Sequence, residues 1–269
     1  MDFETILLKK ENLIATITLN RPDKRNAINF QMMRELGEAV DDVGRDDSVR
    51  ALVITGAGKG FCAGADMDLM SAGPETPKEI TVEDMRKSPA FEWGHRIVMG
   101  LHRMEKPTIG MINGACVGAG FDIALACDMR TGSLEFTKFL CGFVKLGLYP
   151  GFGATWLYPR IMGLAKAFEM LFTGDTMDAA EALRVGILNK AVPADKLEQE
   201  TYELATKVAK GPPLAIKMMK AQVLKGLQQD LRTALDAAAL CEAVTMVSQD
   251  FKAALNAKFT GGDPKFEGR

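Results

Sequence analysis

The feature that most limits what this chain can fold into is a recurrence: short apolar runs end in loops of small residues and give way to segments with helical spacing. Leu13, Ala15, Ile17 and Leu19 alternate with Thr16 and Thr18, the period-two signature of a strand with one buried face. A second strand around residues 6–9 completes a hairpin. R-P-D-K-R-N at 21–26 breaks the pattern, because Pro22 fixes its own backbone and turns Arg21 away from helix. Asn29 is placed to cap a helix in which Phe30, Met33, Leu36, Val40 and Val43 recur at spacings of three and four. The unit returns in A-L-V-I-T at 51–55, which ends in G-A-G-K-G, and in P-T-I-G-M-I-N-G at 107–114, which ends in a Gly-rich loop before F-D-I-A-L-A. Strands alternating with helices predict an α/β core.

Between these units, residues 71–89 carry four acids, four prolines or glycines and little periodicity, as expected of a mobile surface segment able to act as a lid. After Pro193 the pattern is helical almost throughout, with helices expected over 197–209, 213–227 and 230–256. With 269 residues the chain is long enough for one large core with an appendage, and we divide it into a core over 1–195 and a helical, oligomerising region over 196–269.

Composition removes several classes of function. Lys+Arg 33 against Asp+Glu 35 leaves a formal net charge of -2 and no basic run, so neither nucleic acid nor an anionic membrane surface is an expected partner. Five scattered cysteines (Cys62, Cys116, Cys127, Cys141 and Cys241), without a C-x-x-C pair, and two histidines give no basis for a disulfide framework or a zinc site. The first residues lack an apolar signal region, and the uncharged stretch at 107–121 is too short to cross a bilayer. A soluble protein of a reducing cytoplasm is expected.

Two loops of small residues carry the chemical interest: F-C-A-G-A-D at 61–66 and N-G-A-C-V-G-A-G-F-D at 113–122. Such loops let backbone N–H groups approach a ligand, and a following helix N-terminus favours negative charge, so two donors aimed at one oxygen would form an oxyanion hole. Tight turns and close helix-strand packing account for the same glycines equally well.

Four motifs in order resemble the crotonase (enoyl-CoA hydratase/isomerase) superfamily: L-N-R-P-D-K-R-N-A-I-N, V-I-T-G-A-G-K-G-F-C-A-G-A-D-M, K-P-T-I-G-M-I-N-G-A-C-V-G-A-G-F-D-I-A-L-A-C-D and L-F-T-G-D-T-M-D-A-A-E-A-L-R-V-G-I-L-N-K-A-V-P. The resemblance covers the chain from about residue 13 onward. It implies a spiral of ββα turns with a C-terminal helical part that packs trimers, often paired into hexamers. It also implies an acyl-CoA thioester substrate and no metal or redox cofactor, coenzyme A entering only with the substrate. The implied activity is enoyl-CoA hydratase-like, with enoyl- or dienoyl-CoA isomerisation, dienoyl-CoA hydration, thioester hydrolysis and C–C cleavage as alternatives on the same scaffold, and a non-catalytic acyl-CoA binder as the remotest.

Carried over by position, the oxyanion donors are the N–H groups of Ala65 and Ala119. Asp122, three residues on, matches the first catalytic glutamate of the hydratases, in a helix expected to start at Gly120. Arg25, with Lys24, matches the contact to the CoA phosphates, and backbone near Ala27, Ala63, Ala65, Asp66 and Met67 matches the adenine end. Lys258 and Phe259 lie roughly where the family's tail closes on CoA. The second catalytic glutamate falls on Phe143, which cannot exchange a proton, and Gly151 stands where dienoyl isomerases have an aspartate; no acid occurs from 136 to 160. His95 has the spacing of a pocket histidine, though Trp93, Ile97, Val98, Leu101 and Met104 equally make it one face of an amphipathic helix. Asp68, Glu83, Asp84 and Glu92 near the lid, Tyr149 and Cys141 are further groups that could reach inward. Phe91, Trp93 and Phe143 are expected to shape the acyl pocket.

Overall fold

A computed structural model describes residues 2–66 and 80–269. A six-stranded sheet has the order β1-β2-β3-β5-β7-β10, formed by β1 (Ile6–Glu11), β2 (Ile14–Leu19), β3 (Ala51–Gly56), β5 (Thr108–Ile112), β7 (Met129–Ser133) and β10 (Lys190–Val192). A four-stranded sheet has the order β4-β6-β8-β9, formed by β4 (Gly60–Cys62), β6 (Ala115–Val117), β8 (Lys138–Leu140) and β9 (Thr176–Asp178). The hairpin pairs β1 with β2 antiparallel, and β2, β3, β5, β7 and β10 then run parallel. The chain thus lays one strand in the large sheet, a short one in the small sheet, and returns through a helix: the expected spiral of ββα turns.

Residue alternation explains the layers. On β3, Leu52 and Ile54 enter the main core, while Ala51 and Val53 face a second cluster with Ala205 and Ala209 of the helix Leu197–Ala209. On β2, Thr16 turns to that same helix, its hydroxyl 2.8 Å from the Tyr202 hydroxyl. Parallel strands covered on both faces must be apolar on both, as β3 is.

Asn29 caps the helix Phe30–Arg45, its Oδ1 accepting from the Met32 N–H at 2.9 Å. That helix packs on the helix Pro89–Arg103 at two glycines: a Cβ on Gly37 would lie 3.0 Å from the Trp93 ring, and one on Gly100 would lie 2.8 Å from Val40. Trp93 therefore fills a helix-helix contact rather than an acyl pocket. Of the segment expected to be a mobile lid, residues 71–79 lie outside the described residues, as does Asp68; its later part is ordered as the helix Val82–Lys87, with a Thr81/Asp84 capping box. Asp84 is spent on that cap and Glu83 pairs with Lys87, so neither reaches inward.

The tail departs from expectation at one point. Where one helix was expected over 230–256, Ser248 stops the first, Leu231–Met246, and caps the second, Gln249–Thr260, by accepting from the Phe251 N–H at 3.0 Å. The helices Pro213–Gly226 and Leu231–Met246 bury no residue in the protomer. A cleft of about 450 Å³, lined by Trp156, Leu157, Met219 and Val223 among others, separates the first of them from the core.

Candidate active site

The site is built where the two small-residue loops touch. Ile28 forms a parallel bridge with Ala65: its N–H donates to Gly64 O at 2.8 Å, and its carbonyl accepts from the Asp66 N–H at 2.9 Å. In such a bridge the central residue's own N–H points to the opposite side, so that of Ala65 faces away from Ile28. On the other loop, Gly118 (φ 52°, ψ -120°) makes a turn closed to L side chains, and the helix Ala119–Ala126 starts directly after it. The Ala119 N–H is thus a first-turn donor with no acceptor inside its helix. The helix begins one residue earlier than expected, and Ala119 has no positive φ, so its methyl is accommodated without strain.

Contacts between glycines hold the loops together. A Cβ on Gly64 would stand 3.0 Å from Val117 O and 3.9 Å from Gly118 Cα, and one on Gly120 would stand 2.5 Å from Cys62 Cβ. Ala65 and Ala119 each stand next to one of these glycines, so the two loops meet beside them.

Asp122 lies one turn into the helix, 0 % exposed, and neither carboxyl oxygen has a hydrogen-bond partner. Burial pushes its carboxyl up to about 8, the nearby Tyr158 hydroxyl acting weakly in the opposite sense. Tyr158 comes from the helix Ala154–Met162; its ring packs on Phe121 at 4.8 Å, and its hydroxyl is also buried without a partner. The sequence analysis singled out Tyr149 and missed Tyr158. Tyr149 is 74 % exposed, with its hydroxyl on Thr155. No sequence signal marks Tyr158, which stands between Leu157 and Pro159 with Thr155 and Arg160 close by.

The remaining expected residues separate. Phe143 is half-buried with its ring over Gly118: a Cβ there would be 3.5 Å from its Cζ. It lies beside the loop that leads into Ala119, at the position where the resemblance places the second glutamate. His95 is exposed, and its Nε2 donates to Gly151 O at 3.0 Å while Phe91 meets its ring edge-on. It steadies that loop and touches no carboxyl. Cys141 is buried, as expected of a small apolar residue, and burial pushes its thiol up. Glu92 is exposed.

Arg25 and Lys24 are exposed on a loop whose shape was not foreseen. Asn26, fully buried, is its clamp: Oδ1 accepts from the Arg21 N–H at 3.0 Å, and Nδ2 donates to Ala57 O and Gly60 O, both at 2.9 Å. Arg25 itself has φ 51°, and its carbonyl accepts from the Ala63 N–H at 3.0 Å. Two expected adenine-end groups are thereby altered. The Asp66 side chain is buried in an ion pair with Arg21 at 2.6 Å, and its N–H is taken by Ile28; the Ala63 N–H is taken by Arg25. Arg21 also reaches Ala27 O at 2.5 Å. Met67 lies outside the described residues. Lys258 is exposed near the end of the last helix, Gln249–Thr260.

Comparison with known proteins follows the same lines. Residues 9–269 match the family model described as enoyl-CoA hydratase/isomerase. A short-chain-enoyl-CoA hydratase of Clostridium acetobutylicum is 36% identical over 236 residues, 87% of each chain. A 1,2-epoxyphenylacetyl-CoA isomerase of Escherichia coli is 32% identical over 266 residues, 99% of each chain. Among solved structures, an enoyl-CoA hydratase subunit of Geobacillus kaustophilus superposes with a TM-score of 0.89 at 32% identity, covering 100% of both chains.

Proposed function

The chain belongs to the enoyl-CoA hydratase/isomerase family, and from that premise we propose that Asp122 is its proton carrier and that the N–H groups of Ala65 and Ala119 hold the thioester oxygen while it bears enolate charge. The protein is an enoyl-CoA hydratase-like, acyl-CoA-processing enzyme of the lyase or isomerase type. One observation carries the assignment of roles: a fully buried carboxyl, without a hydrogen-bond partner among the described residues, lies one helical turn after the Ala119 N–H, on the loop that packs against Gly64 beside Ala65. Fixed donors aimed at a developing oxyanion contribute about 3 kcal/mol each to transition-state stability. This reading needs no metal or redox cofactor, since backbone dipoles carry the enolate charge.

In hydration, one Asp122 oxygen takes a proton from water as the hydroxyl adds to the β carbon, and the carboxyl returns that proton to the α carbon of the enolate. Burial supports both halves, because a carboxyl near 8 is a stronger base than an ordinary one and exchanges its proton near neutrality. A second reading, double-bond migration, is favoured by Phe143: with no second carboxyl to place water, Asp122 takes a proton from the γ carbon and returns it to the α carbon through a shared dienolate.

Arg25 and Lys24, on the loop held by Asn26, are assigned to the CoA phosphates. The carbonyls of Ala63 and Ala65 are assigned to the adenine end, with Ala27 beside them on the 21–29 connection, and Lys258 would come to CoA from the tail. The exposed apolar helices after residue 212 support a homotrimer or hexamer, with the region from 196 as its assembly element. Five free thiols fit a reducing cytoplasm, and no helix among the described residues is long and apolar enough to cross a membrane.

The test is mass spectrometry of straight-chain, branched, dienoyl and cyclic enoyl-CoA thioesters incubated with the protein in D2O, beside Asp122→Asn. A gain of water, lost in the variant, is the expected result for hydration; deuterium uptake without added water indicates migration. Turnover of the preferred thioester by Asp122→Asn within about twofold of wild type would remove Asp122 from the chemistry.

A further inference from the structure

Three buried side-chain oxygens lack a partner among the described residues, Oδ1 and Oδ2 of Asp122 and the phenol oxygen of Tyr158, and Tyr158 faces Asp122 from across Phe121. The proton-carrier reading uses the first two and leaves the third without a task. An orphaned buried polar group is destabilising, so a phenylalanine at 158 would serve packing better than this tyrosine. The Tyr158 ring is fixed by Phe121, which in turn packs on Phe139, each pair at 4.8 Å between centroids. Held there, the hydroxyl meets the Asp122 carboxyl closely enough for each to shift the other's ionisation.

The other titratable groups facing this carboxyl are the thiols of Cys116 on β6 and Cys141 beyond β8, both kept neutral by burial. Thiols are weak donors. The phenol is kept protonated by burial and by the adjacent carboxylate, so it remains a donor throughout the working range. It is the strong side-chain donor available to an ionised Asp122.

Resting on the assignment of Asp122 above, we propose that Tyr158 is the positioning residue of the proton carrier: when Asp122 gives up its proton, the phenol O–H donates to the carboxylate, holds its charge and turns the free oxygen toward the reacting carbon. No proton leaves Tyr158. The proton passes between Asp122 and substrate or water, and the phenol bond forms and breaks with the charge. This places in the helix Ala154–Met162 a polar contribution to a site that Phe143 leaves one acid short.

Tyr158→Phe removes only the hydroxyl. We expect kcat to fall about tenfold or more with KM within about twofold, and the limb of the kcat/KM profile set by Asp122 to move up by about one pH unit. Without substrate, the carbonyl stretch of protonated Asp122, isolated as the infrared difference from Asp122→Asn, titrates at higher pH in Tyr158→Phe. Should that variant fold poorly, 3-fluorotyrosine at position 158, a stronger donor of nearly the same shape, moves the infrared titration downward. An infrared titration unmoved by either change overturns the proposal. If Asp122→Asn keeps its turnover, the catalytic reading fails instead, and the infrared titration still judges the pair.

Discussion

At the scale of single residues, the molecule sets stability against chemistry at Asp122. Its carboxyl has an ordinary value near 3.8 in the unfolded chain and about 8 in the fold. The folded state keeps a proton that the unfolded state releases between those values, so stability is full below about pH 4, falls as pH rises toward 8, and is flat above. Asp122→Asn, unable to ionise, escapes that loss. Its Tm relative to wild type should rise by roughly 5–10 °C between pH 5 and pH 9, read by calorimetry, and an unchanged difference would mean the carboxyl is not desolvated. Gly120 is a purely steric case. With Cys62 Cβ 2.5 Å from where its methyl would be, Gly120→Ala should cost about 1–3 kcal/mol in urea unfolding and part the two loops. Turnover should fall with it, whereas Ala119→Gly, at a position already helical, should retain most activity.

Elements carry the CoA end of the site. The 21–26 loop keeps its shape through one side chain: Asn26 satisfies an N–H and two carbonyls belonging to two separate connections. Asn26→Ala leaves those groups buried and unpaired, at about 1–3 kcal/mol for each one that finds no water. We expect KM for a CoA thioester to rise about tenfold or more while kcat changes less, since the proposed oxyanion donors, Ala65 and Ala119, lie outside the 21–26 loop. Arg25→Ala separates charge from shape: its side chain is exposed, so KM should rise with Tm unchanged, and the rise should shrink at high salt. Steady-state kinetics at two ionic strengths checks both variants.

The whole molecule is unfinished as a protomer. On the helix Leu231–Met246, Leu231 and Leu235 lie on one face and Leu240 and Val244 on nearly the opposite one, all of them exposed. A helix apolar on two faces needs cover on both, which one protomer does not supply. Leu235→Glu with Leu240→Glu charges both faces. Light scattering should show the wild type as a trimer or hexamer and the double variant as smaller species; a monomeric wild type would refute the assembly.

How much of this could be read beforehand depends on the range of the interactions. Period-two runs, the Asn29 cap and the small-residue loops are local, so the strands, the first helix and the α/β spiral were legible before any coordinates. The family resemblance of the loop motifs, rather than their spacing alone, pointed to Ala65, Ala119 and Asp122, the residues proposed for the chemistry. Contacts between distant segments were not legible. Trp93 reads as a pocket aromatic until Gly37 is found beneath it, and the Asp66 backbone reads as a ligand contact until Ile28 takes its N–H. Tyr158, 36 positions from Asp122, carries no motif, and its meeting with that carboxyl exists only because the helix Ala154–Met162 lies across Phe121. The sequence by itself determined where small residues leave the backbone open to a ligand and, through the family resemblance, which acid is proposed beside it; the tertiary structure alone decided how dry that acid is and which hydroxyl faces it, because desolvation is a property of everything packed around a group.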